Sequence, residues 1–170
     1  MQNKIPEVRI ADQYSYSRAG PCDARRICGI VRLCYADPWP LKTFEDELAD
    51  NELARYFIAE PKPRAGYGDD GAAGVIYGFC GYWAILDQAH IMNVAVHPAF
   101  RGRGVGAGLM DAMLRDARGL GLVEATLEAR RGNDAAINLY LRFGFERAGV
   151  RKGYYDRGAT DALIMWKRFA

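Results

Sequence analysis

The sequence predicts an α/β (α+β) fold in one domain over residues 1–170, with a mixed sheet of about seven strands and about four flanking helices. A chain of 170 residues has the length of a single domain with a substantial core. Its apolar residues change between strand and helix spacing in the order β, α, α, β, β, β, α, β, α, β, β. Strands that directly follow one another imply hairpins, so a uniformly parallel sheet is excluded.

The amino-terminal third contains a strand and two helices. The short segment Glu7–Ala11 predicts the strand. Apolar residues at helical spacing predict a helix over Asp23–Tyr35, and Asp37-Pro38-Trp39-Pro40 then interrupts the chain. Thr43-Phe44-Glu45-Asp46 resembles a capping box and predicts a second, short helix that ends near Asp50.

The middle third is predicted as three strands. Arg55–Glu60 is a compact strand, and the Pro- and Gly-rich segment Pro61–Gly74 predicts an exposed loop within a hairpin. Val75–Leu86 is aromatic and β-branched, with glycines that indicate bulges. A turn at Asp87-Gln88 leads into the strand His90–Val96.

The carboxy-terminal third contains the remaining elements. A helix is predicted over Val105–Arg118, and Asn133 is predicted to cap another that ends at Gly144. The remaining predicted strands are Val123–Ala129, Phe145–Tyr155 and Ala162–Phe169. In the first of these strands the side chains alternate, with Val123, Ala125, Leu127 and Ala129 opposite Glu124, Thr126 and Glu128.

Composition excludes several functional classes. Half of the residues are hydrophobic, 26% are charged and the net charge is +2, so neither nucleic acid nor an anionic membrane is an expected partner. No window approaches about 18 consecutive apolar residues, so no transmembrane helix is expected. Met1–Asp12 lacks the apolar core of a signal peptide, and the expected location is the cytosol.

The cysteines predict neither disulfides nor a metal site. Cys22, Cys28, Cys34 and Cys80 form no C-x-x-C pair and fit no common zinc spacing. With His90 and His97 as the two histidines, we expect no bound metal and assign neither histidine a role. Three of the cysteines are predicted to be small buried apolar residues: Cys28, Cys34 and Cys80.

The third helix begins at alternating glycines that directly follow a strand. Glycine allows positive φ and close approach of a ligand, and a helix N-terminus offers unpaired N–H groups and partial positive charge. A phosphorylated ligand is therefore expected at Arg101-Gly102-Arg103-Gly104-Val105-Gly106-Ala107. The glycines could also serve packing alone, but each costs about 1 kcal/mol inside a helix.

Two familiar phosphate-binding motifs fit this segment poorly. A Walker loop requires G-K-[ST], which is absent from the sequence. Gly102-x-Gly104-x-x-Ala107 matches a relaxed dinucleotide fingerprint, with Glu124 about 20 residues further on as the ribose-binding acid. That fold needs repeated parallel crossovers, whereas this chain finishes in a predicted hairpin.

Arg101-x-x-Gly104-x-Gly106 matches the signature of the GCN5-related N-acetyltransferases (GNAT), and the element order matches their fold. The resemblance covers about residues 35–168, is strongest from residue 90 onward, and points to the RimI branch, which acetylates the N-termini of ribosomal proteins. It departs in the first 20 residues and in Pro61–Gly74. The matching segments are Pro38-Trp39, Phe44-x-x-Glu47-Leu48, Leu127-Glu128-Ala129-Arg130, Asn133-x-Ala135-Ala136, Leu139-Tyr140-x-x-Phe143-Gly144-Phe145, Gly149–Tyr155 and Asp161–Met165.

The resemblance implies acetyl-CoA as the cosubstrate. Its pyrophosphate is expected on the glycine segment, and its pantetheine amides on the extended backbone of the preceding strand, which also polarises the acetyl carbonyl. Asn133 is implied as a further pantetheine contact, which is compatible with capping a helix. The expected binding residues are Val94, Ala95, Val96, Arg101, Gly102, Arg103, Gly104, Val105, Gly106, Ala107 and Asn133.

The same resemblance implies two catalytic residues. Glu128 is implied as the general base, although a strand position alone would favour a solvated side chain. Tyr140 is implied as the hydrogen-bond donor to the departing thiolate; a buried core tyrosine is the alternative. Full proton transfer from a phenol (pKa about 10) to a thiolate (about 8.5) is uphill by about 2 kcal/mol, so a hydrogen bond with partial transfer is expected.

The expected acceptor is the N-terminal segment of a protein, a ribosomal protein by resemblance. An α-amine with a pKa near 7.8 is roughly a tenth neutral at pH 7, whereas a lysine amine is under about 0.1% neutral. Tyr35, Trp39, Tyr154 and Tyr155 are candidate walls of a peptide groove. The alternatives are acetylation of a lysine or small amine, and a CoA-binding module without catalysis.

Overall fold

The computed structural model describes residues 14–62 and 74–169. Its strands are β1 (Tyr14–Arg18), β2 (Ala54–Pro61), β3 (Gly78–Ile85), β4 (Gln88–Val96), β5 (Glu124–Arg130), β6 (Glu146–Tyr155) and β7 (Thr160–Arg168). Its helices are α1 (Ala24–Cys34), α2 (Leu41–Ala49), α3 (Val105–Gly119) and α4 (Asp134–Arg142). From the first helix onward, the predicted order of elements is confirmed, and so is the predicted mixed sheet. In this described part of the chain, no helix is long and apolar enough to cross a bilayer.

Several predicted boundaries in the first half of the chain are corrected. The predicted strand Glu7–Ala11 lies outside the described residues, as does most of the loop Pro61–Gly74, and β1 was not predicted. The capping box at Thr43 is wrong, because α2 already begins at Leu41 after the extended Pro40. The earlier start lets Leu41 pack against the same apolar cluster as Phe44.

Two smaller predictions around the central strands are also wrong. The turn between β3 and β4 is Leu86-Asp87, with Leu86 at φ 55°, because Gln88 already pairs with Ile85 in the ladder. Val123 precedes β5 and is 49% exposed, so it does not continue the buried face of that strand. The alternation of Ala125, Leu127 and Ala129 on that face is confirmed.

The sheet has the order β1-β2-β3-β4-β5-β7-β6. β4 and β5 are its one parallel pair among the described strands, and their pairing runs only from Gln88–Glu124 to Ile91–Leu127. Beyond that rung, β4 continues to Val96 and β5 continues to Arg130 without pairing with each other. The two strands therefore separate at their carboxyl ends and leave an opening in the middle of the sheet.

A bulge in β4 lies where this separation begins. Gly81 of β3 is opposite Asn93, whereas the next residue, Tyr82, is opposite Ile91, so Met92 is an extra residue without a partner. Because side chains alternate along a strand, one extra residue exchanges the two faces. Asn93 thus lies on the same face of the sheet as Ala95.

Two apolar clusters cover the two faces of the sheet. The cluster under α3 and α4 includes Leu109, Met110, Met113, Leu127, Ala129 and Tyr140. The cluster under α1 and α2 includes Ile27, Val31, Phe44, Tyr56, Phe79 and Ala95. Cys28 and Cys80 are buried as predicted, whereas Cys34 is only half-buried and Cys22 is exposed. The sheet thus separates two cores.

Gly78→Ala is expected to destabilise the end of β4. A Cβ at Gly78 would lie 2.6 Å from the carbonyl oxygen of Ala95 and 3.2 Å from Cα of Val96, and backbone atoms cannot rotate away. We expect a loss of about 1–3 kcal/mol in urea unfolding, the usual cost of overpacking. The matched control is Gly29→Ala, which has open space on the exposed side of α1 and should gain up to about 1 kcal/mol. Equal stability of the two variants would contradict the close approach.

Candidate functional site

The opening between β4 and β5 exposes one edge of β4. The N–H of His97 donates to the carbonyl of Tyr77, 2.8 Å away, on the side of β3. Since main-chain groups alternate in direction along a strand, those of Ala95 also face β3. Those of Val94 and Val96 face the opening. Of the three strand residues predicted to bind the cosubstrate, Val94 and Val96 therefore lie on the open edge of β4. The carbonyl of Val96 already accepts a hydrogen bond from Arg101, so the main-chain groups of Val94 and the N–H of Val96 are the ones left for a ligand.

The edge of β4 is followed by the predicted glycine segment. Gly102 and Gly104 have φ values of 73° and 84°, with no atom within 4 Å of where a Cβ would stand. The N–H of Gly108 makes the first helical bond of α3, 3.0 Å long, to the carbonyl of Gly104. The preceding N–H groups, those of Val105, Gly106 and Ala107, therefore have no carbonyl within the helix to bond. The start of α3 thus offers donors at an open surface.

The two arginines of this segment have different surroundings. Arg101 turns back towards β4, where its Nε donates to the carbonyl of Val96 over 3.2 Å and a guanidinium nitrogen lies 3.5 Å from Sγ of Cys34. The guanidinium of Arg103 stacks over Phe100 at 5.5 Å from the ring centre. Both keep positive charge beside the start of α3.

Glu128 is the first residue of β5 beyond the last rung with β4. Its side chain is on the face opposite the buried Leu127 and Ala129, and 34% of it is exposed. Oε1 lies 3.3 Å from a guanidinium nitrogen of Arg151 in β6. The hydroxyl of Tyr155 donates to the main-chain carbonyl of Glu128 over 2.9 Å. A carboxylate is thus held at the opening and remains accessible to solvent.

Three tyrosine hydroxyls lie near the same opening. Burial raises the pKa of Tyr140, and nearby Tyr35 and Tyr155 raise it further. Burial likewise raises the pKa of Tyr35 to about 12 and the pKa of Tyr155 to about 12. All three phenols are therefore protonated at neutral pH.

Asn133 caps α4 through a 3.3 Å bond from the N–H of Ala136 to its side-chain oxygen, and Tyr140 is two turns further along that helix.

A pocket of about 240 Å³ opens on the α1–α2 face beside the bulge. Its lining residues are Trp39, Thr43, Glu47, Tyr56, Trp83 and Met92. The Glu47 carboxylate accepts hydrogen bonds from Nε1 of Trp83 over 2.6 Å and from the hydroxyl of Tyr56 over 3.3 Å. Of the predicted groove aromatics, Trp39 belongs to this pocket, whereas Tyr35, Tyr154 and Tyr155 lie at the ends of α1 and β6.

The structure adds three residues that the sequence pattern did not identify. Arg151 meets Glu128 only because β7 pairs with both of their strands, a contact that no short-range spacing encodes. Glu47 had been noted only as part of a motif. Asn93 is buried next to the opening, where the bulge exchanges the faces of β4.

The dinucleotide alternative does not fit this geometry. Glu124 accepts a hydrogen bond from Gln88, and both residues lie at the start of the parallel pair, at the opposite end of the sheet from Gly104. A single parallel pair also falls short of a doubly wound sheet.

Across residues 14–62 and 74–169, no group of three or more His, Cys, Asp or Glu residues is arranged to hold a metal.

Comparisons with known proteins agree with this geometry. Residues 24–145 match the sequence model of the Acetyltransferase (GNAT) family. The chain is 34% identical over 149 residues to a putative ribosomal protein bS18-alanine N-acetyltransferase of Bacillus subtilis, covering 85% of this chain and 88% of the relative. It is 35% identical over 133 residues to N-alpha-acetyltransferase RimI of Mycobacterium tuberculosis, covering 76% and 75%.

The fold agrees with a solved structure as well. The chain matches the crystal structure of the ribosomal-protein-S18-alanine N-acetyltransferase from Escherichia coli with a TM-score of 0.76 and 28% identity. The match covers 91% of this chain and 93% of that one. On the family match and these relatives together, the chain belongs to the GNAT acetyltransferase family and is an N-acetyltransferase.

Proposed function

We propose that this enzyme transfers the acetyl group of acetyl-CoA to the N-terminal α-amine of a protein, with a ribosomal protein of the bS18 type as the acceptor. One observation carries the proposal: the unpaired edge of β4, the open start of α3 and the Glu128 carboxylate meet at the same opening in the sheet. The relatives at 34% and 35% identity carry names that describe this activity.

The residues at the opening fit acetyl-CoA. Free N–H groups and the helix dipole at Val105, Gly106 and Ala107 suit a pyrophosphate, and Arg101 and Arg103 add positive charge. The main-chain groups of Val94 and the N–H of Val96 can pair with amides of an extended ligand as an added strand would. Asn133, exposed at the start of α4, is a further candidate contact. Acetyl-CoA supplies an acetyl group activated as a thioester.

We assign the role of general base to Glu128. An incoming ammonium must lose a proton before its nitrogen can form the new bond to the acetyl carbon. The Glu128 carboxylate accepts that proton, directly or through water, because it stands at the opening and stays partly exposed. An α-amine makes this task much easier than a lysine side chain does, since its pKa lies about 2.5 units lower.

We assign the hydrogen bond to the departing sulfur to the Tyr140 hydroxyl. Because burial raises the pKa of Tyr140, its proton is retained more firmly than in a free phenol. The hydroxyl therefore stabilises the developing thiolate by donating a hydrogen bond and transfers its proton only in part.

Tyr140→Phe is expected to lower kcat by about 10- to 100-fold with little change in the KM of acetyl-CoA, because a donor that acts on developing charge affects the transition state most. The check is steady-state kinetics with a peptide that begins with alanine. The control is Tyr14→Phe, a change at another buried tyrosine of the same core, which should keep full turnover. Unchanged kcat in Tyr140→Phe would assign Tyr140 to packing alone.

The acceptor assignment is tested by intact-mass and fragment-mass spectrometry after incubation with acetyl-CoA. One peptide begins with alanine, and a second has a blocked N-terminus and an internal lysine. Labelling of the free α-amine is expected. Labelling confined to the lysine side chain would contradict the assignment, and no labelling of either peptide would favour a small amine as the acceptor.

A further inference from the structure

Asn93 is a buried residue whose side-chain amide makes fewer hydrogen bonds than it could. It is 8% exposed, and it shares this degree of burial with one other polar or charged residue in the described part of the chain, Asp23. Asp23 accepts hydrogen bonds from the N–H of Gly20 and from the guanidinium of Arg26, at 2.9 and 2.7 Å. The amide nitrogen of Asn93 has no hydrogen-bond partner among the described residues.

Such a group costs folding free energy and calls for an explanation. An apolar residue of the same shape would avoid the cost. The face exchange at the bulge decides where this amide points. In a strand without the bulge, Asn93 would share the face of Ile91, which belongs to the other core. The chain therefore directs an unpaired amide to this face of the opening.

The surroundings of Asn93 are those of an acceptor site. Its side chain is on the α1–α2 face, which is also the face that carries the Glu128 carboxylate across the opening. It lies beside Tyr56, whose pKa is raised by burial and by Glu47. The Asn93 amide is close enough to the phenol oxygen to lower that pKa, but its nitrogen does not reach hydrogen-bond geometry there. The neighbouring Met92 lines the 240 Å³ pocket. Along β4, Asn93 thus follows a residue of this pocket and precedes Val94 of the open edge.

We propose that the Asn93 amide donates a hydrogen bond to the first carbonyl oxygen of the acceptor chain, and so positions an N-terminal amine towards Glu128. The inference rests on the proposed function. In an N-terminal residue, one carbon separates the amine from a carbonyl group. A lysine amine has no carbonyl nearby, so Asn93 would favour N-terminal amines over lysine side chains. Asn93 is a positioning residue in this scheme and takes no part in proton transfer.

The test pairs two variants with two acceptors. Asn93→Leu removes the donor and keeps the shape, whereas Asn93→Asp keeps the shape and replaces the donor by an acceptor. One acceptor is a peptide beginning with alanine, and the other is the same peptide with its first carbonyl reduced to a methylene. Transfer from radiolabelled acetyl-CoA gives kcat/KM for each combination. Fragment masses locate the label, and thermal unfolding and acetyl-CoA titration accompany each variant.

We expect Asn93→Leu to lower kcat/KM for the alanine peptide by roughly 10- to 100-fold and to change that for the reduced peptide by less than about twofold. Asn93→Asp should lose more with the alanine peptide, because its carboxylate repels the carbonyl oxygen. The melting temperature of Asn93→Leu should stay the same or rise, since an unpaired buried amide is removed. The acetyl-CoA affinity of Asn93→Leu should not change.

Three results would overturn the inference. Equal losses with both peptides would mean that Asn93 acts on the acetyl group or on the fold. An undiminished rate with the alanine peptide would mean that the amide serves no acceptor. If the unaltered enzyme labels only lysine side chains, the proposed function itself fails and this inference fails with it; the position of the label distinguishes that case from the first two.

Discussion

Replacing Glu128 by glutamine is expected to lower kcat/KM for a peptide beginning with alanine by about 10²- to 10⁴-fold at pH 7, the usual contribution of a general base. Glutamine preserves the size of the side chain and can still accept a hydrogen bond, but it cannot take up a proton. Acetyl-CoA affinity should stay within about twofold, because the proposed cosubstrate contacts come from β4 and the start of α3.

The pH dependence of the variant follows from the acceptor. Without a base, reaction requires an amine that is already neutral, and this fraction rises about tenfold per pH unit below a pKa near 7.8. The residual activity of Glu128→Gln should therefore rise steeply from pH 6 and level off above pH 8. The measurement is a pH–rate profile between pH 6 and 9 under kcat/KM conditions.

Glu124→Gln is the matched control. Glu124 has the same side chain on the same face of β5, but it pairs with Gln88 at the closed end of the parallel pair. Its replacement should leave kcat/KM within about twofold, since a surface substitution of this kind changes little. Full activity of Glu128→Gln across the pH range would falsify the assignment of the base.

The sequence predicts the architecture because its periodic segments are long and clearly bounded. Residues that lie together on one face of a helix or strand show the same spacing in sequence, as in α3 and β5. Residue spacing does not predict an element boundary that is fixed by packing. The helix α2 begins at Leu41 because that residue reaches the core, although the capping pattern starts at Thr43. The strand β1 shows no comparable bounding signal.

Some residues of the candidate site can likewise be predicted from the sequence, and others cannot. The glycine segment and Asn133 can be found from sequence because they belong to local backbone geometry at helix starts. The pair of Glu128 and Arg151 depends on three strands meeting in register, and the orientation of Asn93 depends on a one-residue bulge. Local patterns therefore identify the helix start to which we assign the pyrophosphate, whereas the proposed acceptor side depends on register between distant strands.

Gly104→Glu is expected to weaken acetyl-CoA binding by about 30-fold. Gly104 precedes the free N–H groups of α3, so a carboxylate there would face the proposed pyrophosphate. Two unit charges about 4 Å apart near a protein surface repel by about 4 kcal/mol, and screening in an exposed loop reduces this to roughly half, still more than a tenfold effect. The loss of glycine at φ 84° adds backbone strain that disturbs the same donors.

Gly121→Glu separates the ligand effect from the strain. Gly121 also has a positive φ, 78°, and open space where a Cβ would stand, but it follows the opposite end of α3. Both variants should lose stability in urea unfolding, about 1–2 kcal/mol for a left-handed residue with a Cβ. The loss should be larger in Gly121→Glu, because its carboxylate lies at the negative end of the helix dipole. Calorimetric titration should show normal acetyl-CoA affinity for Gly121→Glu and a large loss for Gly104→Glu. Since strain and added charge are matched, equal affinities in the two variants would remove the pyrophosphate from the start of α3.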